Sequence, residues 1–180
     1  MGIFHDSGFV NYKTILTFDE KGEYNWSKPE PYLSQYRDIE TYAGICEVEC
    51  VRSDEGMGDE LCLIARCNKK RNTSLLIFSN DEGETWSKPV EAPVSLNGER
   101  HKAEWMPDGR LFITFRSIER NRKMVKKMRK DGGKKTWYSE GWIAWVGTYD
   151  DLKNGNEGQY RIKIAHTYLD HQNVPSLSAN

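Results

Sequence analysis

The chain has 180 residues, a formal net charge of −1, and six Trp, nine Tyr and six Phe in a sequence that is 37% apolar and 29% charged. This length predicts one domain or a piece of a larger one, and the aromatic load excludes a disordered chain. No run approaches the length of a membrane-crossing apolar helix, and a near-neutral charge names no partner.

The elements follow in chain order. Met1 to Gly8 lacks a basic stretch followed by an apolar one, so no secretory signal is expected there, and the compartment stays open. Short apolar or alternating runs separated by Gly, Asn, Asp and Pro predict strands near 12–18, 42–51, 60–67, 73–79, 89–94, 101–106, 110–116, 141–149 and 160–168. Pro107-Asp108-Gly109 reads as a tight turn between two of them. Only 118–131, rich in Arg, Lys and Met, has a helical option. The class is all-β. Cys46, Cys50, Cys62 and Cys67 form no CxxC pair, which argues against structural zinc. They read as small buried side chains, with a disulfide between neighbouring strands as the minority alternative.

Charge is uneven. Residues 116–135 hold ten Lys or Arg against Glu119 and Asp131, a window of +8. Such a run is ordinarily a solvated loop or helix face.

A repeat runs through the first half. Trp26-Ser27-Lys28-Pro29 recurs sixty residues later as Trp86-Ser87-Lys88-Pro89, each copy after a strand and a polar turn. A period of this length in an all-β chain points to repeated four-stranded units. The second copy reads Ser79-Asn80-Asp81-Glu82-Gly83-Glu84-Thr85-Trp86. Asp81 is suited to accept backbone N–H bonds and brace the turn, and Gly83 to supply a positive φ. Ser79 and Thr85 offer hydroxyls, and Trp86 is the apolar anchor. The first copy keeps Asp19, Gly22 and Trp26 at longer spacing, without the Ser and Thr.

Ser79–Trp86 matches the Asp box S-x-D-x-G-x-T-W. With the weaker Asp19–Trp26 copy and the segment Arg100–Arg116, it makes the chain resemble the sialidase (neuraminidase) superfamily and its Asp-box, or BNR, repeat relatives. The resemblance implies a partial six-bladed β-propeller of four-stranded antiparallel blades. Residues 1–35 would end one blade, 38–97 would form a complete blade, and 98–170 a second with the basic insertion 116–140. Residues 171–180 would start another. In the second complete blade, Tyr149-Asp150-Asp151 through Gly155 would stand as an eroded box. Such an arc leaves packed faces open, so it implies further blades or self-association as partners.

The resemblance also implies an active face, opposite the Asp boxes, where arginines receive the carboxylate of an acidic sugar. Guanidinium suits that task because it binds carboxylate bidentately and stays charged. Arg100, Arg116 and Arg66 are the substrate-binding candidates, each weighed against an ordinary surface arginine. Glu119, in the loop where the family places its acid, and Glu47, which alternates with Glu49 on one strand, are the catalytic candidates. Their bland alternatives are a loop ion pair for Glu119 and a salt bridge between blades for Glu47. The box-bearing face collects Asp54, Glu55, Asp59, Asp81, Glu82, Glu84 and Asp108. No metal or cofactor is expected. The implied function is a sialidase-like glycoside hydrolase, or a fragment of one, with a non-catalytic glycan- or protein-binding propeller as the alternative. A nucleic-acid role for the basic run, with Trp137 and Tyr138 as stacking groups, is the weaker rival.

Overall fold

The computed structural model describes residues 1–40, 42–68, 73–118 and 139–165. Within them the protein is all-β, built of antiparallel sheets with one short helix. No described helix is long and apolar enough to cross a membrane.

The first sheet has three strands, β1 (Gly2–His5), β2 (Asn11–Thr14) and β5 (Glu30–Tyr32), in the order β1-β2-β5. Between β2 and β5, β3 (Leu16–Phe18) and β4 (Tyr24–Trp26) project as a hairpin. The run 12–18, read as one strand, is thus divided, and β1 was not foreseen. The break follows from Ser27: its Oγ accepts from Ile15 N at 2.9 Å and its N–H donates to Ile15 O at 2.8 Å, closing β2 off from the hairpin.

The second sheet is β6 (Ile45–Arg52), β7 (Leu61–Cys67), β8 (Ser74–Ser79) and β9 (Val90–Glu91), in chain order. The third is β10 (Gly98–Trp105), β11 (Leu111–Ile118), β12 (Ser139–Gly147) and β13 (Tyr160–Ala165), again in chain order. Where an eroded turn was expected after β12, a helix stands instead: α1 (Tyr149–Asn154). Thr148 and Asp151 cap it reciprocally, and Gly155 ends it in the left-handed region at φ 70°.

Alternation in β7 and β8 places apolar side chains on both faces of the second sheet. Leu61, Leu63, Ala65, Cys67, Leu75 and Ile77 pack toward Tyr32, Leu33 and Trp86. Cys62, Ile64 and Leu76 pack toward Leu111, Ile113, Phe115, Ile143 and Trp145 of the third. The second sheet is therefore the middle layer, which is why its strands read as nearly continuous apolar runs. The first strands lie side by side, β1 against β6 and β6 against β10. No disulfide joins any two of the four cysteines. Burial pushes the Cys46 and Cys50 thiols up to about 11 and Cys62 well above its usual value.

The repeat is structural as well as sequential. Ser87 makes to Phe78 the same two bonds, at 2.9 and 2.8 Å, that Ser27 makes to Ile15. In the turn between β8 and β9, Asp81 accepts from Thr85 N (2.9 Å), Thr85 Oγ1 (2.5 Å) and Ser79 Oγ (2.7 Å), while Gly83 N donates to Ser79 Oγ (2.9 Å). These bonds, led by those from Thr85, hold the Asp81 carboxyl down at about 2. Gly83 sits at φ +82°, and a Cβ there would meet the Trp86 ring at 2.9 Å. Trp86 is buried against Tyr32 and Leu33, whereas Trp26 of the first copy is half exposed. The buried Lys13 ties the first sheet to this turn through Gly83 O (2.9 Å) and Glu84 (3.0 Å).

Candidate functional site

Arg66 lies near the end of β7, paired with Cys46 and Ser74, while Ser79, which opens the Asp81 turn, pairs with Leu61 at the other end. The two ends are about 17 Å apart at the rise of a strand. The arginine end and the turn end of this sheet are therefore opposite rims.

At the arginine rim both first strands are interrupted alike. The register shifts between Cys46 and Glu49 in β6, and between Glu99 and Lys102 in β10. Each bulge holds a non-glycine residue in the left-handed region, Glu47 at φ 49° and Arg100 at φ 58°. Such residues cost conformational energy and persist where their surroundings over-determine them. Here an ion-pair cluster does so. Glu47 Oε1 is 3.1 Å from Arg66 Nη1 and 3.7 Å from Arg100 Nε. Glu99, 2% exposed, is 3.0 Å from Arg66 through Oε2 and pairs with Arg116 through Oε1.

The structure thus brings together four sequence candidates, Arg66, Arg100, Arg116 and Glu47. Glu119 lies outside the described residues, as do the helical option over most of 118–131, Trp137, Tyr138, the loop 69–72 and the tail 171–180. The sequence reading missed Glu99. Its equivalence to Cys46 shows only in the strand register: Glu99 stands opposite Arg116 just as Cys46 stands opposite Arg66, at a spacing that differs from the sixty-residue repeat.

The five side chains sum to +1. Burial draws the Arg116 guanidinium below its usual pKa, Glu47 opposing and Arg66 reinforcing the shift. Arg66 and Arg116 are about a quarter exposed and Arg100 is 37% exposed, so guanidinium edges reach solvent. Glu47 Oε2 is buried and has no hydrogen-bond partner. Glu49 does not join the cluster: it accepts from Lys102 Nζ (2.6 Å) and Ala103 N (3.2 Å), so both alternating carboxylates bridge the second and third sheets.

Behind the cluster His101 is buried, its Nε2 3.0 Å from Leu96 O and its ring stacked on Phe115. Burial pulls its pKa down to about 4, so it is neutral near pH 7. Among the described residues no group of three His, Cys, Asp or Glu side chains is arranged to hold a metal ion.

Comparison with protein-family models, with curated proteins and with solved structures returns no significant match.

Proposed function

We propose that the chain is part of a sialidase-like, Asp-box β-propeller whose arginine rim receives the carboxylate of a terminal acidic sugar, in a glycoside hydrolase of exo-sialidase type. The observation that carries this reading is the convergence of Arg66, Arg100 and Arg116 at one rim, held by left-handed bulges that repeat in two sheets. Three guanidiniums sharing two carboxylates favour a further anion, and the planar fork of arginine suits a carboxylate. Two features support the propeller: adjoining first strands in successive sheets, and the Asp81 turn at the rim away from the arginines.

In this reading the arginines orient the sugar, a carboxylic acid passes its proton to the glycosidic oxygen as the C–O bond breaks, and water adds to the anomeric carbon. Among the described residues Glu47 is the sequence-nominated carboxylate that adjoins the arginines with an oxygen uncommitted. One observation favours the alternative, a binding module without turnover: the other Glu47 oxygen already serves two guanidiniums. Further blades or a second copy would cover the outer sheets.

The test is turnover of a fluorogenic sialoside between about pH 4 and 8, where such carboxylates titrate, beside binding of free sialic acid followed by NMR. Turnover lost in Arg66→Ala and Arg116→Ala supports the hydrolase. Binding without turnover selects the module, and neither result with the intact chain sinks both.

A further inference from the structure

The two outer faces of the sheet stack are apolar, and the Trp-Ser-Lys-Pro repeat shows how such a face is covered within the chain. Trp86 lies on the side of the second sheet that faces the first. Tyr32 and Leu33 bury it there, with the Tyr32 and Trp86 rings 5.8 Å apart. Tyr32 stands on β5, the last strand of the first sheet.

Trp26 is the counterpart of Trp86, since Ser27 and Ser87 make the same two backbone bonds. Its ring lies over Gly2, where a Cβ would meet it at 3.3 Å. Gly2 alternates with Phe4 on β1, and Phe4 stands opposite Tyr12, the two rings stacked at 5.4 Å. Ile3 and Lys13, opposite each other on the other face, turn toward the second sheet. Trp26, Phe4 and Tyr12 therefore share the face turned away from it. Trp26 is 48% exposed against 8% for Trp86, and Phe4 is as open as Trp26. The first sheet thus presents the tryptophan of the repeat without the tyrosine that covers it.

The far face of the third sheet has the matching half. Arg161 stands opposite Trp145, which is buried toward the second sheet. Tyr160, Ile162 and Ile164 alternate with Arg161 and Lys163 along β13, so they fall on the outer side, where they are exposed. Tyr160 continues across the sheet through Val146 to Phe112. β13 is the last strand of its sheet, as β5 is of the first. A tyrosine with branched aliphatic neighbours thus stands on the third sheet as Tyr32 and Leu33 stand on the first.

We propose that two copies of this chain pair head to tail, the Tyr160–Ile164 face of each covering the Trp26 face of the other. The pairing rests on the propeller reading of the sheets and not on the activity. It continues between copies the contact that buries Trp86 within one. Matching tyrosine to tryptophan joins unlike faces, so the contact is heterologous, and such a contact closes where its rotation returns to the start. Two copies of three sheets make six, within the range of propeller rings. Closure covers both exposed apolar faces at once.

The test is sedimentation velocity of the full chain over a range of concentrations, and the wild type is expected to form a dimer. Trp26→Glu breaks the first face and Ile162→Glu/Ile164→Glu the last. Phe4→Glu is a second variant of the first face, and far-UV circular dichroism checks that each variant folds. Each variant alone is expected to pair about tenfold more weakly or worse. An equimolar mixture of a first-face variant and the last-face variant regains one intact contact, so it is expected to dimerise more tightly than either component. Four results would each overturn the proposal: a monomeric wild type, a ladder of larger species in place of the dimer, undiminished pairing in a folded variant alone, or a mixture that pairs no better than its components. Sialic acid binding by a monomer would leave the arginine rim standing and remove only the pairing.

Discussion

Arg66 and Arg116 occupy the same register position in successive sheets, each facing the residue that precedes a left-handed bulge, Cys46 in one and Glu99 in the other. The second and third sheets therefore each supply an arginine, while only the third supplies a carboxylate opposite. That carboxylate reaches both guanidiniums. Glu99→Ala would leave Arg66 and Arg116 facing each other across a buried gap. Removing one partner of a buried ion pair costs about 3–5 kcal/mol, and partial exposure of both arginines reduces this to about 2–4 kcal/mol. Equilibrium urea unfolding measures it. A variant as stable as wild type would show that Glu99 does not hold the cluster.

If the arginine rim binds an acidic sugar as proposed, the two rims separate stability from binding. Asp81→Ala removes three short hydrogen bonds from the turn, and Gly83→Ala drives a Cβ into the Trp86 ring at a φ that L side chains rarely adopt. Each is expected to lower Tm by a few degrees while leaving binding of an acidic sugar at the arginine rim unchanged. The carboxylate of Asp81 is held low, so its contribution is complete above the ordinary Asp pKa near 3.8 and is lost only as pH falls through about 2. Sugar binding that vanishes in a stably folded Asp81→Ala protein would mean that the rims have been assigned wrongly.

What could be read beforehand was local chemistry. The Asp81 turn was legible because the bonds that Asp81 and Ser79 make to close it lie within eight residues, and the Trp-Ser-Lys-Pro repeat because both serines make the same backbone contacts. The bulges were not legible, since Glu47 and Arg100 take left-handed backbone against their own preference, under forces from a neighbouring sheet. β1 escaped notice because Ile3, Phe4 and His5 do not alternate, and its partner β2 gives it its identity. The helix α1 had a readable signal that was passed over: Thr148 and Asp151 stand at capping-box spacing, and Gly155 stands at the stop.

The cysteines give a kinetic prediction. Cys46, Cys62 and Cys67 are buried, and Cys50 is partly so, with Cys46 and Cys50 thiols near 11. Thiolate is the reactive form, so at pH 8 the native chain is expected to react with a disulfide reagent on the timescale of opening or unfolding. Reductant should leave the melt unchanged, since no cross-link exists to break. A burst of labelling on mixing would contradict this burial.

His101 predicts how the arginine rim fails in acid. Its ring is enclosed by Ser74, Leu96 and Phe115, and burial holds its pKa near 4, with weaker opposing pulls from the Leu96 hydrogen bond and then from Glu47. The ordinary value is 6.5, so as pH falls below that the unfolded chain takes a proton that the folded chain refuses. The stability contribution is complete above about pH 6.5 and declines as pH falls toward 4. It is flat below that, a total of about 3 kcal/mol for a shift of this size. His101→Gln keeps a donor toward Leu96 O and does not titrate. Urea midpoints at pH 7 and pH 4.5 should therefore differ more for the wild type than for the variant, by most of that amount. Equal pH dependence in the two proteins would show that His101 can be protonated within the fold.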